Sequence, residues 1–271
     1  MEINRSNITE IVQKASLRPD KDYGQNFLVE SDVSKHIVDA LNLNDENETV
    51  LEVGPGLGSL THFIALSNVK CDAVDIDLRM VDFLKAVYRD YSNIEIISND
   101  IRKHDVSKYT KVVGNLPYNI TTETIQYFLV NAVSAKRMVF MIQAEALNRF
   151  YDVKGKEYGP VSVLLHLLGN IEKLFVVKAG CFYPVPKCNS VVFAINIDKE
   201  KNRKEAIGAF NLAKQLFANR RKTIQNNLTN VLKDKNLTLS LLGSLAINPL
   251  SRPEDLSPET YLEIYKYLLT K

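Results

Sequence analysis

Residues 49–60, TVLEVGPGLGSL, join a short apolar run to a helical pattern through a loop that holds three glycines. Glycine at the end of a strand lets backbone N–H groups approach a ligand closely, and the following helix turns its amino terminus to the same place. The next apolar run ends at Asp75, 21 positions after Gly54. A carboxylate there can accept hydrogen bonds from both ribose hydroxyls of an adenosine. The two features predict a βαβ unit that binds a nucleoside-type cofactor, without deciding between NAD and S-adenosylmethionine.

Strand and helix patterns alternate over most of the chain. Helical patterns at 60–66, 79–88 and 122–131 separate apolar runs that are bounded by Gly, Asn, Asp or charged residues. The predicted parallel strands are residues 49–53, 71–76, 94–98, 111–115 and 137–142. This alternation predicts an α/β fold with a doubly wound sheet. The runs KLFVVK (173–178) and SVVFAINI (190–197) predict two further strands, as an antiparallel excursion at one edge.

The pattern changes after Asp198. The charged run KEKNRKE (199–205) marks a boundary, and residues 206–232 place apolar side chains on one stripe of a predicted helix. Ser257 and Pro258 predict the N-cap and first residue of another helix. We therefore expect a sheet domain at 1–198, with an amino-terminal arm at 1–28, and a small all-helical domain at 199–271.

The composition is that of a soluble globular protein, with 271 residues, 45% hydrophobic and 24% charged. No apolar run approaches the ~18 residues of a membrane span, and no apolar signal segment begins the chain, so we expect a cytoplasmic protein with no membrane partner. Cys71, Cys181 and Cys188 lack metal-ligand spacing, which predicts reduced thiols and no metal. Residues 196–271 carry 13 basic and 8 acidic side chains, an excess that fits a nucleic-acid partner and equally a solvated helical surface.

The motif GNLPYNI (114–120) follows the fourth predicted strand and points to one reaction. An exocyclic amine such as that of adenine is a poor nucleophile, because its lone pair is delocalised into the ring. The Asn115 side-chain oxygen and the Leu116 carbonyl can accept its two hydrogens and favour a pyramidal nitrogen, while Pro117 restricts the Leu116 backbone and Tyr118 can stack on the base. Alone, Asn-x-Pro is more typical of a turn. After a nucleoside-binding unit it favours methyl transfer.

Together these motifs resemble the KsgA (RsmA) family of ribosomal RNA adenine dimethyltransferases over nearly the whole chain. The resemblance implies a class I (Rossmann-like) methyltransferase sheet, S-adenosylmethionine as donor, and two methyl groups placed on each of two adjacent adenines in the 3′-terminal hairpin loop of small-subunit rRNA. The expected partner is that rRNA within an immature or loosened 30S-type subunit, and we expect a monomer. The matching stretches are GQNFL (24–28), EVGPGLG (52–58), DID (75–77), ND (99–100), GNLPYNI, QAEALNRF (143–150), FYPVPKCNS (182–190) and NRRKTIQNNL (219–228).

The resemblance also assigns roles to single residues. The expected cofactor ligands are Asn26 and Leu28 at the methionine end, Gly54 and Gly56 beside the amino-acid part, Asp75 at the ribose, Asp100 at the adenine, and Asn115 between cofactor and target amine. Phe182, in an exposed-looking FYPVP loop, is expected to sandwich the target base opposite Tyr118. By itself Asp100 is more typical of a turn or cap residue. The chain departs from the family at Asp75 (usually Glu), Ala144 (often Lys) and Cys188-Asn189 (often Val-Asp).

Basic residues in the matching stretches are candidate RNA contacts. Arg220 and Arg221 flank the apolar stripe of the predicted 206–232 helix and Lys222 points away from it, which fits side chains that reach phosphates and also a solvated rim. Arg149 is expected either to contact RNA or to pair with an acid. Two other functions stay open: a large-subunit rRNA adenine dimethyltransferase that confers antibiotic resistance, and a non-catalytic RNA-binding assembly factor.

Overall fold

The computed structural model describes residues 2–14, 17, 19, 25–45, 47–117 and 120–271, and within these residues it contains nine strands. The strands are β1 (Phe27–Leu28), β2 (Thr49–Val53), β3 (Lys70–Asp75), β4 (Ile94–Ser98), β5 (Lys111–Asn115), β6 (Arg137–Gln143), β7 (Gly169–Val177), β8 (Phe182–Tyr183) and β9 (Ser190–Ile197). The five parallel strands expected from the sequence are all present, as are the two expected near the edge.

Seven of these strands form one sheet in the order β4-β3-β2-β5-β6-β9-β7, and β1 pairs with β8 in a separate two-stranded sheet. Strands β4, β3, β2, β5 and β6 are mutually parallel, whereas β9 runs antiparallel to β6. The strand order reverses between β2 and β5, because β2 pairs with β3 on one side and with β5 on the other. The carboxyl ends of parallel strands leave a crevice at such a reversal. The fold is therefore the expected Rossmann-like α/β sheet.

Helices cover the sheet or follow it along the chain. They are α1 (Ile8–Lys14), α2 (Ser31–Asp39), α3 (Ser59–Ala65), α4 (Leu78–Val87), α5 (Thr121–Asn131), α6 (Asn148–Tyr151), α7 (Pro160–Leu168), α8 (Arg203–Phe217), α9 (Ile224–Leu232), α10 (Lys235–Ser244) and α11 (Pro258–Leu269). The three expected crossover helices correspond to α3, α4 and α5. Ser257 caps α11 by accepting a hydrogen bond from the Thr260 N–H, and Pro258 is its first residue, as predicted.

The prediction of a single helix over 206–232 is wrong, because a turn separates α8 from α9. Thr223 adopts an extended conformation and accepts a hydrogen bond from the Asn226 N–H, so it begins a new helix. The buried Asn227 amide donates to the backbone oxygens of Asn219 and Lys222, at 3.1 and 3.3 Å. The connecting turn is thereby held by side-chain hydrogen bonds that a hydrophobic periodicity does not reveal.

The chain separates into two compact units, Met1–Glu145 with Glu172–Asn196, and Ala146–Ile171 with Ile197–Lys271. The second unit thus differs from the expected 199–271 domain, because α6 and α7 belong to it. Within this unit α7 packs against α8 and α11, and those contacts bury the apolar stripe of α7. From hydrophobic periodicity alone, the same stripe fits a crossover helix packed on the sheet equally well. Among the helices of the described ranges, none is long and apolar enough to cross a membrane.

Candidate active site

A cavity of about 290 Å³ lies in the first unit at the carboxyl ends of the central strands. Its wall contains most of the cofactor and amine ligands expected from the sequence, which come from separate parts of the chain. These are Asn26, Leu28, Gly54, Gly56, Asp75, Asp100, Asn115, Leu116 and Pro117. The cavity therefore brings the glycine loop, the ribose carboxylate and the Asn-Leu-Pro motif to one place.

The glycine loop follows β2 and uses backbone conformations that other residues rarely adopt. Gly54 has φ +61° and Gly56 has φ +57°, in the left-handed region that favours glycine. A Cβ atom at Gly54 would meet nothing within 4 Å, whereas one at Gly56 would lie 3.2 Å from the Phe27 ring. The Gly54 N–H donates to the Val74 carbonyl at 2.9 Å, which ties the loop to β3. The loop thus leaves open space beside Gly54 into which a ligand fits.

Asp75 ends β3 and closes this side of the cavity. Its Oδ2 accepts a hydrogen bond from the Gly56 N–H at 3.2 Å, and its Oδ1 accepts one from the Asp77 N–H at 2.9 Å. Burial raises the pKa of Asp75, and these two hydrogen bonds oppose the rise. Each carboxylate oxygen can accept a further hydrogen bond. Asp75 is shorter than the Glu that is usual in the family, but it still presents acceptors for the two hydroxyls of a ribose.

Asp77 is a neighbouring carboxylate whose role the sequence analysis did not assign. It caps α4 and is held by Arg79, while its Oδ2 also accepts a hydrogen bond from the Gln25 side-chain amide at 2.9 Å. Gln25 lies just before β1 and lines the cavity. The two residues are 52 positions apart in the chain. Each belongs to a motif that is visible in the sequence, GQNFL for Gln25 and DID for Asp77, but neither motif predicts that the two side chains meet.

Asn115, at the end of β5, faces the same cavity. Its Nδ2 donates to the Asn26 carbonyl at 3.2 Å, which fixes the amide so that the oxygen is the atom left to accept a hydrogen bond. The Leu116 N–H donates to the Met141 carbonyl at 3.0 Å, and the Pro117 carbonyl accepts a hydrogen bond from the Thr121 hydroxyl at 3.0 Å. Tyr118 lies outside the described residues. The backbone of the motif is therefore held from both sides.

Asp100 lines the cavity but its carboxylate is already engaged. It accepts three hydrogen bonds from Arg102, namely from the backbone N–H at 3.0 Å, from Nε at 3.0 Å and from Nη2 at 2.8 Å. The Arg102 guanidinium lowers the pKa of Asp100. Asp100 also begins the short helix Ile101–Lys103 as its N-cap. The turn-and-cap role considered from the sequence is therefore present, together with a place in the cavity wall.

Glu52, in β2, is a third acidic group of the cavity wall to which the sequence analysis assigned no role. It is 1% exposed, and its Oε2 accepts a hydrogen bond from the Thr61 hydroxyl at 2.7 Å. Burial and, to a smaller extent, the Asp75 carboxylate raise the pKa of Glu52 to about 7, although the Thr61 hydrogen bond opposes the rise. Its position within EVGPGLG was visible in the sequence, but its burial was not.

Phe182 corrects the expectation of an exposed stacking aromatic. It is 2% exposed, it belongs to the buried core, and it is not part of the cavity wall. Residue Leu28 of β1 lies directly opposite it in the antiparallel pair with β8, and cross-strand neighbours point to the same face. Pairing between β1 and β8 therefore turns the Phe182 side chain into the core. The exposed large hydrophobic residue of this loop is Val185, at 66%.

The predicted RNA-contacting residues lie in the second unit and differ in their freedom. The Arg220 guanidinium donates to the backbone oxygens of Lys156 and Gly155, at 3.0 and 3.1 Å, and lies over the Phe217 ring. Arg149 lies 3.9 Å from a Glu157 carboxylate oxygen, the pairing considered from the sequence. Arg221 and Lys222 are exposed, and neither side chain has a hydrogen bond or ion pair with any described residue. Of the four predicted RNA contacts, these two are therefore the ones whose charge has no partner within the described part of the chain.

Comparison with known proteins adds the family. A model of the family described as ribosomal RNA adenine dimethylase matches residues 16–270. The chain belongs to the ribosomal RNA adenine dimethylase family. It is 37% identical to "Ribosomal RNA small subunit methyltransferase A" of Alkaliphilus oremlandii (strain OhILAs), over 93% of this chain and 92% of that one. It is 34% identical to the protein of the same name from Alkaliphilus metalliredigens (strain QYMF), over 97% and 96%.

Solved structures share the fold of this chain. A dimethyladenosine transferase from Plasmodium falciparum has a TM-score of 0.76 at 23% identity and covers 90% of this chain and 98% of its own. The 23S rRNA methyltransferase ErmE has a TM-score of 0.69 at 22% identity, over 90% and 99%. As a member of the family, the chain is an S-adenosylmethionine-dependent methyltransferase that acts on ribosomal RNA. The open space beside Gly54 and the paired acceptors of Asp75 suit such a cofactor.

Proposed function

We propose that this protein transfers methyl groups from S-adenosylmethionine to the exocyclic N6 amines of two adjacent adenosines in the 3′-terminal hairpin loop of small-subunit rRNA. The observation that carries the proposal is that Asn115 and Leu116 share one cavity wall with the glycine loop and Asp75. Two oxygens that can accept the hydrogens of an amine therefore lie beside a nucleoside-binding loop. Relatives named for the small subunit, at 34% and 37% identity over nearly the whole chain, support the choice of RNA.

The cofactor is held, in this proposal, by groups from three loops. Asp75 accepts the ribose hydroxyls, and the open face of Gly54 and Gly56 lies against the amino-acid part. Asn26 and Leu28 cover the methionine end. Two hydrogen bonds hold their segment in the cavity wall: Asn115 donates to the Asn26 carbonyl, and the Ser59 hydroxyl of α3 donates to the Leu28 carbonyl at 2.7 Å. When bound, the cofactor supplies an electrophilic methyl group on a sulfonium.

The chain's own contribution to methyl transfer is to orient the target amine. The Asn115 side-chain oxygen and the Leu116 carbonyl accept the two N6 hydrogens and direct the nitrogen lone pair toward the methyl carbon. The Asn115 nitrogen is bound to the Asn26 carbonyl at 3.2 Å, so a rotation that would present a donor to the amine breaks that bond. After transfer the amine nitrogen carries one extra proton, which leaves to solvent, and no strong general base is needed. Such preorganised acceptors act mainly in the transition state.

The natural substrate, in this proposal, is an immature or loosened 30S-type subunit, which a monomer meets in the cytoplasm. Arg221 and Lys222 of the second unit supply phosphate contacts beyond the cavity, since both are exposed and make no ion pair with described residues. Phosphate contacts of this kind make binding sensitive to salt. Equal turnover on an isolated hairpin and on whole subunits, at matched low salt, would contradict this part of the proposal.

Mapping of transferred label tests the reaction itself. The protein is incubated with labelled S-adenosylmethionine and unmethylated small subunits, with large subunits in parallel, and the labelled nucleotides are located. Label on the two adjacent adenosines of the small-subunit hairpin is expected. Label confined to a large-subunit adenine would identify the resistance-type reaction, and absence of label on either subunit, despite RNA binding, would identify an assembly factor.

Asn115→Ala tests the residue that the proposal depends on most. At saturating cofactor, single-turnover methylation is expected to fall about 100- to 1000-fold, because one of two acceptors is lost in the transition state. Asn47→Ala is the matched control, since Asn47 is exposed and precedes the amino end of β2, far from the carboxyl ends that form the cavity. A folded Asn115→Ala protein that methylates at the wild-type rate would refute the assignment.

A further inference from the structure

Residues 152–157 of the second unit form a surface loop between α6 and α7, which we call the lysine loop. Lys154 and Lys156 are exposed, and neither ammonium group has a hydrogen bond or ion pair among the residues that the structure describes. Gly155 lies between them with φ +93°, and a Cβ atom there would meet nothing within 4 Å. A segment that packs so little is ordinarily mobile, so any order in this loop comes from its backbone contacts.

Arg220 supplies those contacts, together with Glu254. Its Nη1 donates to the Lys156 carbonyl at 3.0 Å, and its Nη2 donates to the Gly155 carbonyl at 3.1 Å. The Gly155 N–H donates to the Glu254 carbonyl at 3.0 Å, and Arg220 Nε lies 3.7 Å from a carboxylate oxygen of the same glutamate. Three backbone groups of two adjacent loop residues are thus fixed.

The Arg220 side chain is itself held by a buried aromatic cluster. Its guanidinium carbon lies 5.3 Å from the centre of the Phe217 ring. Phe217 stacks on Tyr261 and meets Tyr158 edge to face, and all three rings are buried. The guanidinium is therefore placed by the core of the unit and directs its donors at the loop. Arg221 and Lys222, the next residues in the chain, have no such contacts.

We propose that Arg220 is a positioning residue, which holds the lysine loop so that Lys154 and Lys156 contact phosphates of the rRNA substrate. This inference rests on the proposed binding of small-subunit rRNA. A mobile loop loses conformational entropy when its lysines meet phosphates, and a loop that is already fixed loses less. Arg220 therefore strengthens binding through the two lysines rather than through a phosphate contact of its own.

The charges and the aromatic group of this surface fit RNA. Lys154 and Lys156 add two exposed cations to those that follow Arg220 in the chain. Glu157, an exposed acid of the loop, lies 3.9 Å from the Arg149 guanidinium and so has a cation of its own. Tyr151, directly before the loop, is 51% exposed and can stack on an unpaired base. Cations beside an exposed aromatic ring are typical of surfaces that bind single-stranded or looped RNA.

Salt-dependent binding to small subunits and to protein-free small-subunit rRNA tests the inference without any methyl transfer. Lys154→Ala combined with Lys156→Ala leaves the backbone contacts of Arg220 in place. It is expected to lower the slope of log affinity against log salt by about one to two units. Arg220→Ala is expected to lower the slope similarly and the affinity about three- to tenfold, because the freed loop no longer presents its lysines. The matched control is Lys204→Ala, an exposed lysine about 20 Å from the carboxyl end of α8, which is expected to change neither.

A double-mutant cycle separates positioning from direct contact. In the protein that already lacks both loop lysines, Arg220→Ala is expected to weaken binding by less than about twofold, since no lysine is left to position. A guanidinium that contacts a phosphate directly would weaken binding by the same factor in both backgrounds and lower the slope by about one further unit. Equal factors in the two backgrounds would therefore overturn the inference.

Gly155→Pro loosens the loop while it keeps Arg220 and every charge. Proline fixes φ near −65° and has no N–H, so it neither adopts the φ of +93° nor donates to the Glu254 carbonyl. The fold of the unit is expected to persist, because the residue is exposed, and thermal unfolding followed by circular dichroism checks this. The salt slope is expected to fall as in Arg220→Ala although no cation has been removed. A wild-type slope in the folded variant would count against positioning.

The results also distinguish the inference from the function on which it rests. Tight wild-type binding, with an unchanged slope after loss of both loop lysines, would overturn the lysine loop alone. A change seen with whole subunits but not with protein-free rRNA would identify a protein partner and overturn the phosphate contacts, because such contacts do not depend on RNA sequence. Failure of the wild-type protein to bind either RNA would overturn the proposed substrate and the inference together.

Discussion

Glu52→Gln isolates the energetic cost of a buried carboxyl group in the cavity wall. Glu52 is 1% exposed, and burial raises its pKa from 4.5 to about 7. Glutamine has nearly the same shape, keeps an oxygen for the Thr61 hydroxyl, and cannot ionise. The variant therefore imitates the protonated acid at every pH. Any difference between the pH profiles of the two proteins reports ionisation of Glu52.

The sign follows from the direction of the shift. A carboxyl group with a raised pKa in the folded protein contributes stability below its ordinary pKa of 4.5, and this stability is lost as pH rises through about 7. With these two values, the free energy of unfolding of the wild-type protein is expected to fall by about 2.5 kcal/mol between pH 5 and pH 8, relative to Glu52→Gln. Other titrating groups are common to both proteins and cancel in the difference.

Urea unfolding, followed by far-ultraviolet circular dichroism at intervals from pH 5 to pH 8, measures this difference. Thr61→Val provides a second test, because the Thr61 hydrogen bond lowers the pKa of Glu52 and its loss is expected to move the transition to higher pH. Parallel profiles for wild type and Glu52→Gln would mean that the carboxyl group is solvated or paired in the folded protein, and would refute the reasoning.

Three further predictions concern the cofactor, the second unit and RNA. Asp75→Ala is expected to weaken S-adenosylhomocysteine binding by about 1.5–3 kcal/mol, roughly one to two decades in Kd, with RNA affinity unchanged; calorimetry that shows wild-type cofactor affinity in the folded variant would reject the ribose contact. Gly208→Ala would place a Cβ 2.0 Å from the Tyr265 ring and is expected to cost about 1–3 kcal/mol of unfolding free energy. Gly243→Ala is the control, because a Cβ added there would meet nothing within 4 Å, and no such cost is expected. Equal melting temperatures for the two variants would contradict this packing. Arg221→Ala combined with Lys222→Ala is expected to reduce the slope of log affinity for small subunits against log salt by roughly one to two units, and an unchanged slope would remove these residues from the interface.

Local features of the chain were sufficient for the sheet and for much of the site. Each parallel strand is a short apolar run with its own boundary residues, and Gly54, Asp75 and Asn115 each end such a run. Parallel strands bring their carboxyl ends to one edge, so three separate motifs meet there without further information. The cavity contains all three residues, as that geometry requires.

Other features of the fold were decided only by the tertiary structure. They depend on contacts between residues that are distant in the chain, or on hydrogen bonds that hydrophobic periodicity does not record. Phe182 is buried because β8 pairs with β1, more than 150 positions earlier in the chain. The helix expected over 206–232 breaks where Asn227 binds a turn, and α7 joins the second unit through packing against α8 and α11. Asp72 and Tyr109 meet across 37 positions. A hydrophobic pattern reports which side chains avoid water, but the neighbour that each one finds is set only when the chain is folded.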